Sequence, residues 1–177
     1  MKTFIEHLAT YAEYHRDSRN IMTHLFGVPI IVFAVIVLLS RPVFEVAGLN
    51  LNPAMLGYVA AVLFYLRLNL VFAAIMAFLM GIGIYAAMSI AAASTTVWLV
   101  TGVGLFVGGW IVQFIGHYYE GKKPAFVDDL VGLLIGPLFV LAEVLFFLGL
   151  YQGLKREIEA QVGAVRTGSI DTNTASA

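Results

Sequence analysis

The chain has 177 residues, 60% of them hydrophobic and 12% charged, with a formal net charge of −1 and a mean hydropathy of +0.90. The apolar share is well above the ~45–50% of soluble domains, so the chain reads as a membrane protein. Near-neutral charge offers no basic face for nucleic acid, and the lack of cysteine excludes disulfides, thiolate metal sites and cysteine nucleophiles.

The first ten residues, Met1 to Thr10, carry charges where a signal peptide would carry its apolar region, so insertion is expected to rely on internal spans. Over residues 3–16, Phe4, Ile5, Leu8, Tyr11, Ala12 and His15 recur near i, i+4, i+7, which predicts an amphipathic helix lying in the interface. A first span is expected over roughly 21–40, ending at Ser40-Arg41-Pro42 because proline disfavours helical backbone in the residue before it. Residues 42–53, with Gly48 and Asn52-Pro53, read as a loop. Segments 54–66 and 69–92 are apolar and separated by Arg67 and Asn69, predicting a helical hairpin with a short first limb. No Asp, Glu, Lys or Arg lies between Arg67 and Glu120, a stretch long enough for two spans at about 20 residues each. The second of these, about 96–120, carries Gly102, Gly104, Gly108 and Gly109, small residues that let membrane helices approach closely. Gly121-Lys-Lys-Pro124 ends it. The last apolar segment, 127–154, contains Gly136-Pro137 and reads as a kinked span or a re-entrant hairpin.

The expected architecture is an all-α polytopic integral membrane bundle of four or five transmembrane helices with an N-terminal amphipathic interfacial helix. Residues 1–160 form one domain, and the small polar tail 161–177 is expected to be disordered. Arg16 and Arg19 flank the start of the first span, and Lys122 and Lys123 the end of the fourth, which places both ends on the cytoplasmic side. Lys155 and Arg156 also favour that side, and the proline break would account for the parity of crossings.

Three of the four histidines, His15, His24 and His117, sit at the edges of apolar segments among polar neighbours. An ionisable group at membrane depth costs about 2.5–3.5 kcal/mol on insertion scales, so such a cluster is a functional hypothesis by default. At ~100° per residue, Gln113, His117 and Glu120 fall within about 60° of one another, with Trp110 on the same stripe. The plain alternative is an interfacial helix end with belt residues Tyr118 and Tyr119 and a solvated Glu120. His15 and His24 are nine residues apart, on opposite faces of any uninterrupted helix, so they converge only if the chain bends between them. Asp17-Ser-Arg-Asn20 supplies cap and turn formers for that bend, which puts Asn20 and His24 at i and i+4 on the next helix. His7 reads as a surface residue. Glu143, in the middle of an apolar run, needs a partner: a histidine, a metal or Arg67. Asp128 and Asp129 read most simply as cap and first-turn acids of the last span. Arg16 and Arg19 are either ordinary positive-inside residues or contacts for an anionic headgroup or fatty carboxylate.

Several histidines with carboxylates and no thiols suit a hard or borderline ion such as Fe(II), Mn or Zn, and two histidines with one carboxylate is the pattern of non-haem iron sites. Asn20, Gln113 and a tyrosine could hold the imidazole tautomers. The histidine boxes of membrane desaturases are absent, and four histidines cannot build that di-iron cluster.

At these same residues the chain resembles the Mpo1-like family, also called DUF962. The matching pieces are Tyr14-His15 with Asn20, His24 and Pro29; Trp110-x-x-Gln-Phe-x-Gly-His117-x-x-Glu120; Lys123-Pro-Ala125 with Asp128; and Pro137 with Glu143 and Leu148-Gly149. They span roughly residues 10–155. Asp129 stands where the family commonly has Asn, and Lys123 where Arg is frequent, departures that bear on fine substrate contacts. The resemblance implies an Fe(2+)-dependent dioxygenase that shortens 2-hydroxy fatty acids by one carbon in fatty acid α-oxidation. It implies residence in the endoplasmic reticulum membrane in a eukaryote; in a bacterium the cytoplasmic membrane is expected, and another hydroxy acid could serve. His15, His24 and His117 would be the ligands, with Glu120 or Glu143 as fourth ligand or base. Asn20, Gln113, Tyr14, Arg16 and Asp128 would stand behind them or meet substrate. The expected partners are a 2-hydroxy fatty acid, O₂ and membrane lipid, with the protein a single chain or a homo-oligomer. Two rivals remain from the residues alone. A proton-relay or transport protein would use Glu143, His117 and Gln113, and a non-catalytic membrane scaffold would leave the histidines apart.

Overall fold

The computed structural model describes residues 2–124 and 131–167, with Val46 described in its backbone only. Helix α1, Phe4–Ala12, opens with a capping box: Thr3 Oγ1 accepts from the Glu6 backbone N–H, and the Glu6 carboxylate accepts from that of Thr3. The chain turns through Glu13–Arg16, and Asp17, accepting from the Arg19 N–H at 2.9 Å, caps α2, Ser18–Ser40. The bend expected between His15 and His24 is thus completed just before Ser18. Asn20 and His24 lie one turn apart on α2.

The loop expected over 42–53 holds a small antiparallel hairpin, β1 Phe44–Val46 with β2 Leu49–Leu51. Ala47 and Gly48, both at positive φ, make the two-residue turn that matches the strand twist. Helix α3, Pro53–Leu68, and α4, Leu70–Ala91, form the predicted helical hairpin. Asn69 serves both, for its N–H closes α3 on the Tyr65 carbonyl and its side chain caps α4. The Tyr58 hydroxyl donates to the Ala77 carbonyl across the pair.

Helix α5, Thr95–Glu120, is capped by Ser94 and ends at Gly121, whose left-handed φ of 70° suits glycine. It runs antiparallel to α2. Of its glycines, Gly102, Gly109 and Gly116 recur every seven residues along the α2 seam. A Cβ at Gly102 would lie 2.5 Å from Leu38 Cδ2, one at Gly109 2.6 Å from Ile31 Cγ1, and one at Gly116 would collide with Thr23 and Asn20. Gly104 and Gly108, also expected to serve packing, face open space among the described residues. Seven residues nearly complete two turns, so only one glycine stripe can face one neighbour.

Helix α6, Gly132–Phe147, contains Pro137 without ending there. The break comes at Leu148–Tyr151, where Gly149 and Tyr151 take positive φ, and α7, Gln152–Val162, leaves at 118°. Glycine and an αL tyrosine turn the chain, which corrects the expectation that the proline breaks it. Among the described residues three helices, α2, α4 and α5, are long and apolar enough to cross a membrane, and the bent α6–α7 pair would make a fourth. Phe78 on α4 and Val100 on α5, 68% and 67% exposed, present the outer apolar surface that such a bundle offers to lipid. Helix α1 is anchored inward, packing Leu8, Tyr11 and Ala12 with Phe72, Leu138 and Phe139 in the core.

The domain end expected at residue 160 falls inside α7. Beyond it the chain returns to the α1–α2 link: Arg166 N–H donates to the Arg16 carbonyl at 2.7 Å, and Ser18 N–H to the Arg166 carbonyl at 3.0 Å. Residues 168–177 of the expected tail lie outside the described residues.

Candidate metal centre

His24 projects from the first turns of α2 and His117 from the last turn of α5, so the antiparallel seam brings them together. His15 comes from the α1–α2 link. The three rings are buried at 0%, 3% and 6% exposure, with centroids 4.2 Å (His15–His24), 5.1 Å (His15–His117) and 5.0 Å (His24–His117) apart. One nitrogen from each lies within 4.8 Å of the others, a grouping that could hold a metal ion. The scaffold alternative, which needed these histidines apart, does not fit this arrangement.

Hydrogen bonds set the tautomers of two rings. Nδ1 of His15 lies 2.7 Å from the Tyr11 carbonyl, and Nδ1 of His24 lies 2.9 Å from the Asn20 carbonyl. A carbonyl can only accept, so each Nδ1 carries the proton and each neutral ring presents the Nε2 lone pair. Those two Nε2 atoms face each other at 2.9 Å. Two lone pairs at that distance repel unless a cation lies between them. A shared proton would make a buried imidazolium, and burial holds His15 well below the usual histidine range, with His24 and His117 opposing its charge as well. A divalent metal answers the same need with three neutral ligands. Nδ1 of His117 and Oε1 of Gln113 are buried without a hydrogen-bond partner among the described residues. Such orphaned atoms are expected where a bound group is to be met. The donor set therefore fits a metal.

Glu120, expected as a possible fourth ligand, is directed elsewhere. Its Oε2 accepts from the Asp17 N–H at 2.7 Å and from Asn20 Nδ2 at 3.1 Å, and its Oε1 from Arg166 Nη2 at 2.7 Å. Three residues on from His117, it sits about 60° around the helix, enough to face the α1–α2 link instead of the rings. Glu143 stands outside the histidine group, and the opposing charges that act on it are those of Arg16 and Lys155 and not Arg67. Arg16 is committed to the backbone, donating to the Ala12 and His15 carbonyls and to that of Gly163. Tyr14 contributes its carbonyl to Asn20, and its ring lies 5.8 Å from Lys122 Nζ. Asp128, like Asp129, lies outside the described residues.

Two contributors went unread in the sequence. Tyr11 stacks on His15, centroids 4.3 Å apart and planes within 4°, a contact that its i, i+4 spacing could have signalled. Arg166 clasps Glu120 from a segment with no periodicity to announce it. Beside the rings is a cavity of about 70 Å³, lined by Tyr11, His24, Gln113 and His117 together with Val28 and Pro137.

A helical membrane protein with a buried tri-histidine cluster beside a mixed polar and apolar cavity is the class that fold and site define. The family described as "2-hydroxy-palmitic acid dioxygenase Mpo1-like" matches residues 1–148, and the chain belongs to the Mpo1-like family. It is 30% identical over 155 residues to "2-hydroxy-palmitic acid dioxygenase MPO1" of Saccharomyces cerevisiae, covering 86% of this chain and 85% of the yeast protein. No solved structure matches it.

Proposed function

We propose that this protein is an Fe(II)-dependent dioxygenase that converts 2-hydroxy fatty acids to fatty acids one carbon shorter. The observation that carries the reading is the convergence of His15, His24 and His117 with the lone pairs of the first two turned toward each other. The name of the yeast relative supplies the substrate class. Iron suits the dioxygenase chemistry named for the yeast relative, and a donor set of imidazoles without thiolates accommodates it.

Bound iron would supply a centre at which O₂ and a 2-hydroxy carboxylate can meet. His15, His24 and His117 would hold it through their imidazoles. Tyr11 fixes the His15 ring by stacking and through its carbonyl, while the Asn20 carbonyl fixes His24. The Gln113 amide, on the cavity wall with an unpartnered oxygen, is placed to meet the hydroxyl or carboxylate of a substrate. Val28, Ile31 and Leu133 keep the cavity dry on its other side. The overall conversion, R-CH(OH)-COOH with O₂ giving R-COOH, CO₂ and water, balances in atoms, and the four electrons lost by substrate are those O₂ takes up. It needs no oxoglutarate and no external reductant. Arg19, Lys122 and Lys123 around this end of the bundle support a site at the cytoplasmic interface.

The test is metal analysis of anaerobically purified protein, then oxygen uptake and mass spectrometry of products from 2-hydroxypalmitate. Iron near one per chain and pentadecanoate as product are expected. Full turnover by His15→Ala, His24→Ala and His117→Ala would overturn the reading.

A further inference from the structure

A second cavity, about 480 Å³, runs between α2, α4 and α6. Val28, Val32 and Pro137 line both it and the histidine cavity, so the two adjoin at that wall. The chemistry changes at the boundary. The histidine cavity carries Gln113, Tyr11 and the imidazoles, whereas every residue lining the second is apolar. On α2 its walls run from Leu25, next to His24, to Ile36, about 16 Å at 1.5 Å rise per residue. At the end remote from the histidines Gly83 and Ala86 of α4 face Phe33 and Ile36 of α2. A Cβ on Gly83 would lie 3.3 Å from Ile36 Cδ1, so the missing side chain is what keeps this end open. Leu79 and Ile82, about half exposed, stand at the side facing lipid.

A polar head chamber adjoining a long apolar groove matches a molecule with one polar end and an unbranched alkyl tail. We propose that the groove between α2, α4 and α6 is the acyl-tail subsite, entered sideways from the membrane, and that Gly83 and Ala86 set the length of tail accepted. The assignment of the head rests on the function proposed above. Leu or Phe at either position would fill the far end while leaving the histidine chamber, at the other end of α2, untouched.

The experiment uses full-length protein in phosphatidylcholine vesicles. For Gly83→Leu and Ala86→Leu, kcat/KM for 2-hydroxypalmitate should fall about tenfold or more through KM, the scale set by one or two methylenes in an apolar pocket, while 2-hydroxydecanoate stays within about twofold. Unchanged metal content in both variants shows that they fold. In wild type, a 2-hydroxypalmitate analogue with a diazirine at its tail end should label α4 near residues 79–86, and excess 2-hydroxypalmitate should suppress the labelling. Turnover with an unaltered chain-length profile in both variants overturns the proposal. So does label that 2-hydroxypalmitate does not displace, because the groove then holds only bulk lipid. Displaceable labelling of α4 with no turnover of any 2-hydroxy acid keeps the groove as a long-chain carboxylate site and removes the dioxygenase reading instead.

Discussion

The α2–α5 seam and the α1–α2 link both deliver histidines to one centre, but they hold them by different physics. Along the seam, Gly102, Gly109 and Gly116 let two long helices pack backbone to side chain, so His24 and His117 are placed by close packing over the whole interface. At the link, His15 is placed by a polar network drawn from three distant parts of the chain. Asp17 and Asn20 bind Glu120 at the end of α5, Arg16 binds the Gly163 carbonyl, and Arg166 clasps Glu120 while its backbone pairs with Arg16 and Ser18. The seam tolerates no added volume. The link tolerates loss of single contacts, because each is one of several.

Breaking the seam should have the largest effect. Gly116→Leu forces a side chain into Thr23 and Asn20, and overpacking of this kind costs about 1–3 kcal/mol or more. Thermal unfolding should show a strongly lowered or absent transition, and purified protein should lack metal. Next, each of His15→Ala, His24→Ala and His117→Ala should cut bound iron far below one per chain and abolish turnover, while the helical circular-dichroism signal stays near wild type. That separation of metal from fold is what a packing role for the histidines would not produce. Third, Glu120→Ala leaves the buried Asp17 N–H and Asn20 amide without their acceptor, a penalty of about 1–3 kcal/mol. Because it also frees the link that carries His15, iron affinity should weaken about 10–100-fold, the usual range for groups that orient ligands. Metal titration against a competing chelator reads it, and an unchanged affinity would show that His15 is held without the network. The smallest effect belongs to Arg166→Ala. The Arg166 side chain is 62% exposed, so its ion pair with Glu120 is solvent-screened and worth about 1 kcal/mol or less. Iron affinity should drop only a few-fold, and a loss as large as that of Glu120→Ala would make Arg166 the dominant tie.

Much of the site was legible because membrane helices announce themselves. The span expected over 21–40 is α2 from Ser18 to Ser40, and that over 96–120 is α5 from Thr95 to Glu120. The spacing of His15 and His24 meant that they could meet only if the chain bent between them, and the turn formers Asp17 to Asn20 marked where the bend falls. Other features were misplaced for identifiable reasons. Four α5 glycines were expected to serve packing, but a helix turns only one stripe to α2, so Gly104 and Gly108 face away and Gly116 joins the seam. The bend attributed to Pro137 occurs at Leu148–Tyr151, since a helix can carry a proline whereas the positive φ angles of Gly149 and Tyr151 turn it. Arg166 gave no signal, because a lone arginine in a polar stretch has no period and its partner lies 46 residues away.

Composition and apolar period by themselves determined the membrane class, the principal helices and the three histidines, because burying backbone in lipid demands long apolar helices and makes each polar exception conspicuous. Only the tertiary structure decided which polar exceptions meet. Glu120 faces the chain link and not the imidazoles, Glu143 stands outside the histidine group, and Tyr11 covers His15. Those choices depend on the rotation of each helix about its axis, which is set by packing against its neighbours and not by its own residues.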